Sequence, residues 1–98
     1  MTATTVRITF ARELPWEDVL SSLLLARWAA EALHGEPAVA LEARHHFDTQ
    51  GRACVIDAAC AAGRDLVRIF VGYLQREFQP AAFTIERLAP DRTVAAAV

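Results

Sequence analysis

The element order read from the sequence is strand, helix, strand, strand, helix, strand. Two strand–helix–strand units with right-handed crossovers interleave into a ferredoxin-like βαββαβ sandwich. The predicted class is therefore α+β: a four-stranded antiparallel sheet with two helices on one face. Three observations predict it: short segments with alternating apolar residues, two longer segments with apolar residues at helical spacing, and turn residues between them.

The segment TTVRITF alternates, with Val6, Ile8 and Phe10 on one face and Thr5, Arg7 and Thr9 on the other; this is a half-buried strand. Pro15 then suits the first position of a helix, and Glu17 and Asp18 fall where the helix dipole favours acids. From Pro15 to His34, Val19, Leu23, Ala26, Ala30 and Leu33 recur at helical spacing, and Gly35 supplies the stop. PAVALEARHHF alternates again, which predicts a strand with Val39, Leu41, Ala43, His45 and Phe47 inward. DTQG reads as a type I turn closing on a left-handed glycine, and RACVIDA as the returning strand. Residues 63–78 form the second helix, burying Leu66, Val67, Phe70, Leu74 and Phe78. AFTIERL is the fourth strand, with Phe83 and Ile85 inward.

Ninety-eight residues, 54% hydrophobic and 22% charged, suffice for one domain over 1–98 with one modest core. The ordered part is expected over about residues 4–89, with a fraying tail over 90–98. A net charge of −2 is no footprint for nucleic acid or an anionic membrane. MTATTVRITF lacks a charged start followed by an apolar run, and LLLARWAAEAL is interrupted by Arg27 and Glu31. A cytoplasmic location and reduced Cys54 and Cys60 are expected.

A metal or reactive site is suggested by EARHHFDTQGRACVID, which places two adjacent histidines and a cysteine around a turn. A four-residue loop over Asp48–Gly51 sets Phe47 opposite Arg52 and His45 opposite Cys54, and keeps Asp57 and Glu42 out of the core. His45 and Cys54 then become cross-strand neighbours, while His46 points to the other face. One His and one Cys per face fall short of the three or four protein ligands of a zinc site. The alternatives are a satisfied His–Cys pair or a metal site completed across a dimer, and no cofactor is expected.

The open sheet face should present Thr5, Arg7, Thr9, Glu42, Arg44, His46, Ala53, Val55, Asp57, Thr84 and Glu86. It lacks the aromatic platform of an RNA-recognition sheet. Two readings stand: a solvated polar face, or a cleft for a small polar ligand. In the cleft, Arg7, Arg44 and Glu86 bind the ligand, the two arginines as anion clamps, and His46 with Asp57 serves as an acid–base pair. At CAAGRDL, Gly63 opens the second helix with Arg64 in its first turn; this is a weak anion signal, opposed by Asp65. No catalytic motif is evident.

The strongest anomaly is apolar. Leu20, Leu24, Leu25 and Trp28 widen the first helix's stripe past what one sheet face needs. Monomers avoid such exposed patches, so the tail, a second copy or a different protein is expected to cover it, and symmetric homodimers are the commonest assembly. The sequence thus predicts a binding or assembly module, homodimeric through its first helix. The alternatives are a ligand-binding protein or enzyme using the sheet face, and metal binding across a dimer.

Overall fold

The computed structural model describes residues 5–88. The tail expected to fray, residues 90–98, lies outside the described residues. The chain is α+β: β1 (Thr5–Phe10), α1 (Trp16–His34), α2 (Glu36–Glu42), β2 (His45–Asp48), β3 (Ala53–Asp57), α3 (Ala61–Glu77), a 3-10 turn (Pro80–Ala82) and β4 (Phe83–Leu88). The strands form one open antiparallel sheet in the order β2-β3-β1-β4.

β1 is buried at Val6, Ile8 and Phe10 and half-buried at the alternate positions. Its register is fixed on both sides: Ile8 lies opposite Cys54 of β3 and Ile85 of β4. Above the inward residues, α1 lays down Val19, Leu23, Ala26 and Ala30, and α3 lays down Ala62, Leu66, Phe70 and Leu74, all in one continuous core. Phe70, Ile8, Ile56, Leu66 and Leu74 are the largest fully buried side chains. Each contributes about 1.5–3 kcal/mol by leaving water.

Two expected inward leucines are exposed, Leu33 at 66% and Leu41 at 72%. Leu41 is exposed because the local structure is not the expected strand. Residues 36–42 form a helix, not the first half of a strand. Val39, Leu41 and Ala43 share a face in a strand, but in a helix only Val39 and Ala43, four apart, do so. Val39 and Ala43 are accordingly buried at 2% and 1%. Gly35, at φ +91°, separates α1 from α2 in a conformation L side chains rarely adopt, and Pro37 lies in the first turn of α2, where its missing N–H costs nothing. Glu42 therefore sits on a helix and not on the open sheet face. Leu33 is in phase with the buried stripe of α1, but that stripe ends at Ala30. Ile85 faces inward as expected yet stays 46% exposed, because among the described residues β4 is an edge strand paired only with β1.

The hairpin also differs from expectation. Its loop is Thr49–Arg52, so Phe47 lies opposite Cys54 and His45 opposite Ile56. Relative to the expected register the pairing slides by two, an even step that preserves the face of every side chain. Asp48 Oδ1 accepts the Gly51 N–H at 3.0 Å, and the left-handed residue is Arg52, at φ +53°, not Gly51.

Candidate functional site

The open sheet face runs in cross-strand rows. Glu86, Arg7, Val55 and His46 form one row, four strands wide. Arg44 lies across from Asp57, whose N–H donates to the Arg44 carbonyl at 2.8 Å. His46 and Asp57 are thus diagonal neighbours, not a facing pair. The Asp57 carboxylate accepts the Ala59 N–H at 3.0 Å and so caps the turn after β3. Among the described residues no hydrogen bond joins the His46 ring to the Asp57 carboxylate. Arg7 and Glu86 are directly opposed on neighbouring strands, with no ion pair between them among the described residues.

Nor does the hairpin gather metal ligands. Among the described residues no group of three His, Cys, Asp or Glu is placed to hold an ion. His45 is offset diagonally from Cys54 by the register, and its Nδ1 lies 3.5 Å from the Ala43 carbonyl. Cys54 is fully buried, and burial pushes its thiol up to about 12. At neutral pH it is a protonated apolar group and neither a nucleophile nor a thiolate ligand. Cys60 is exposed, at the entry to α3.

At that entry, Arg64 Nη1 donates to the Ala59 carbonyl at 3.0 Å. Asp65 turns away from the helix start to meet His34 Nε2 of α1 at 2.8 Å. Gly63 belongs there for a packing reason: a Cβ on it would collide with the carbonyl of Asp57.

Two residues with large roles escape the sequence reading. Arg52 Nη2 donates to the carbonyls of Ala11 at 2.8 Å, Arg12 at 3.3 Å and Leu14 at 2.7 Å, and its guanidinium lies 4.9 Å from the Trp16 ring centre. Its own carbonyl accepts the Phe10 N–H at 2.8 Å. Trp16 packs edge-on against Phe47 and Phe10, and Phe10 in turn meets Phe70. One hairpin arginine therefore clamps the β1–α1 loop and closes an aromatic chain from β2 through to α3. The only sequence signal was an arginine directly after the turn glycine.

No family model, curated protein or solved structure matches the chain.

Concavities among the described residues include three that bear on these candidates. One of about 420 Å³ lies between the β1–α1 loop and the end of α3, lined by Glu13, Leu14, Glu77 and Phe78 among others. A second, of about 330 Å³, is lined by Arg27 of α1, by Val39, Ala40 and Ala43 around α2, and by Arg44 and His45. A third, of about 50 Å³, lies among Val6, Ala58, Val67 and three arginines. None of these three brings Arg7, Arg44 and His46 together.

The first helix keeps its anomaly. Leu20 is 38% exposed, Leu24 45%, Leu25 51% and Trp28 57%. Leu20, Leu24 and Trp28 follow at intervals of four, a continuous ridge on the side of α1 turned away from Val19, Leu23 and Ala26. No helix of the described residues is long and apolar enough to cross a membrane.

Proposed function

We propose that this chain is a small cytoplasmic binding and assembly module, built as a ferredoxin-like βαββαβ sandwich with α2 added after the first helix, and homodimeric through α1. The strand order and the antiparallel pairing of every neighbour support that fold. The exposed ridge of Leu20, Leu24 and Trp28, widened by Leu25, carries the functional reading.

A second copy suits this ridge on two counts. An antiparallel two-fold partner sets each Trp28 beside the other's Leu20 or Leu24. The exposed residues beside the ridge, Ser21 and Ala32, are small enough for two helices to approach closely.

Light scattering behind size exclusion, run at two concentrations, tests this. The parent should elute with twice the chain mass. Leu24→Glu removes two buried leucines per dimer and sets two carboxylates together, weakening association by about 100-fold or more, ~3 kcal/mol. It should elute as a folded monomer with unchanged far-UV circular dichroism. A parent that is monomeric at both concentrations, or a Leu24→Glu variant that stays dimeric, overturns the assignment.

A further inference from the structure

We infer that the cavity between α1, α2 and the start of β2 binds a small organic acid, holding its oxyanion between Arg27 and Arg44 and its apolar body against Ala40, with Val39 and Ala43 forming the floor beneath. Six residues, these five and His45, come from three parts of the chain and converge on a space of about 330 Å³. A bare inorganic anion would leave most of that volume unfilled; it lies at the lower end of the range for small-molecule sites.

The lining is chemically divided. Three members are basic, three are apolar and none is acidic. Arg27 Nε is held by Glu31 Oε2 at 3.1 Å, which orients the guanidinium and balances its charge. Among the described residues no acidic side chain pairs with Arg44. His45 borders the space with its Nδ1 3.5 Å from the Ala43 carbonyl, so the ring is engaged with the backbone and the anion is left to the arginines. A planar guanidinium fork matches a carboxylate or a phosphate with two parallel hydrogen bonds. The apolar half is set by the helical phase of α2: Val39 and Ala43 share the face that closes over the core, with Ala40 beside them. The site exists only because residues 36–42 are helical. A continuous strand would have carried Val39 and Arg44 away from Arg27.

The ligand class is a carboxylate or phosphate ester with a short hydrocarbon body, and the two head groups are separable by experiment. Amide chemical shifts of the full chain are followed during titration with butyrate, propyl phosphate, inorganic phosphate or butanol at constant ionic strength. Butyrate or propyl phosphate should give saturable shifts centred on residues 39–45, and the tighter of the two names the head group. Arg44→Gln should weaken that binding about tenfold, the ~1.4 kcal/mol scale of one charge-assisted hydrogen bond. Arg76→Gln, exposed in the last turn of α3, should leave it unchanged. The inference is overturned if neither acid saturates, if butanol or inorganic phosphate binds as well as both, or if Arg44→Gln and Arg76→Gln behave alike. Because Arg44→Gln leaves α1 intact, its outcome is independent of the oligomeric state that tests the proposed function.

Discussion

Replacing Arg52 by alanine should cost this protein about 3 kcal/mol, a large share of the 5–15 kcal/mol that holds a small domain together. One guanidinium nitrogen serves three carbonyls of the β1–α1 loop at 2.7–3.3 Å. Hydrogen bonds from a charged donor are worth about 1.5–3 kcal/mol, and because a single nitrogen is shared the set is closer to one such bond than to three. Stacking on Trp16 adds about 0.5–1 kcal/mol. Arg52 also sits at φ +53°, where any side chain with a Cβ carries a penalty of about 1 kcal/mol. Alanine keeps that penalty and loses the clamp. Glycine loses the clamp but relieves the backbone, so Arg52→Gly should cost about 2 kcal/mol, and Arg52→Lys, with a point charge in place of the fork, about 1–2. Urea unfolding followed by circular dichroism at fixed pH resolves these differences. Arg52→Ala within about 0.5 kcal/mol of the parent, or Arg52→Gly costing more than Arg52→Ala, would refute the clamp.

Two glycines of α3 should respond oppositely to alanine. Gly63→Ala drives a methyl into the Asp57 carbonyl and should cost about 2 kcal/mol or more, whereas Gly72, with open space around it, should gain about 0.5–1 kcal/mol, both read by urea unfolding. Cys54 makes stability fall in alkali. Its thiol, raised from 9.0 to about 12, stays protonated in the folded chain while the unfolded chain ionises. The contribution is whole below pH 9 and is lost between pH 9 and 12, at up to about 1.4 kcal/mol per pH unit. Cys54→Val should flatten that decline relative to the parent, and equal slopes would show that Cys54 takes no part. In the native protein at pH 8, iodoacetamide should label Cys60 and spare Cys54, as peptide mass mapping would report.

Most of the element order was legible because its periods are unambiguous. Val6, Ile8 and Phe10 alternate cleanly, and Leu66, Phe70 and Leu74 recur every four residues. The segment at 37–43 was not, because Val39, Leu41 and Ala43 satisfy a period of two while Val39 and Ala43 also satisfy a helical step. Composition arbitrates there: Pro37 after Gly35, then alanine, leucine and glutamate, is a helix start followed by strong helix formers. The hairpin faces were readable from parity, but the two-residue slide was not, since a four-residue loop fits either position. The candidate sites fared less well. His46 and Asp57 fall on the expected face but in different rows. The gathering of Arg27 with Arg44, and of Arg52 with Trp16, depends on contacts between distant segments that leave no local trace.

The place of β1 in the sheet shapes how the chain emerges during synthesis. β1 is made first, yet it lies between two partners that come later, and Phe10 meets Phe83 only when the last described strand is available. Until β4 clears the ribosome, the β1 flank reserved for it presents unpaired N–H and C=O groups over Val6 and Ile8, a template for mispairing with another nascent chain. The β1–β3 pairing and the helices can form earlier, so a partly closed sheet with one sticky edge is the expected co-translational species. Truncation before residue 83 should therefore yield a chain that aggregates or recruits chaperones, not a smaller version of the same fold.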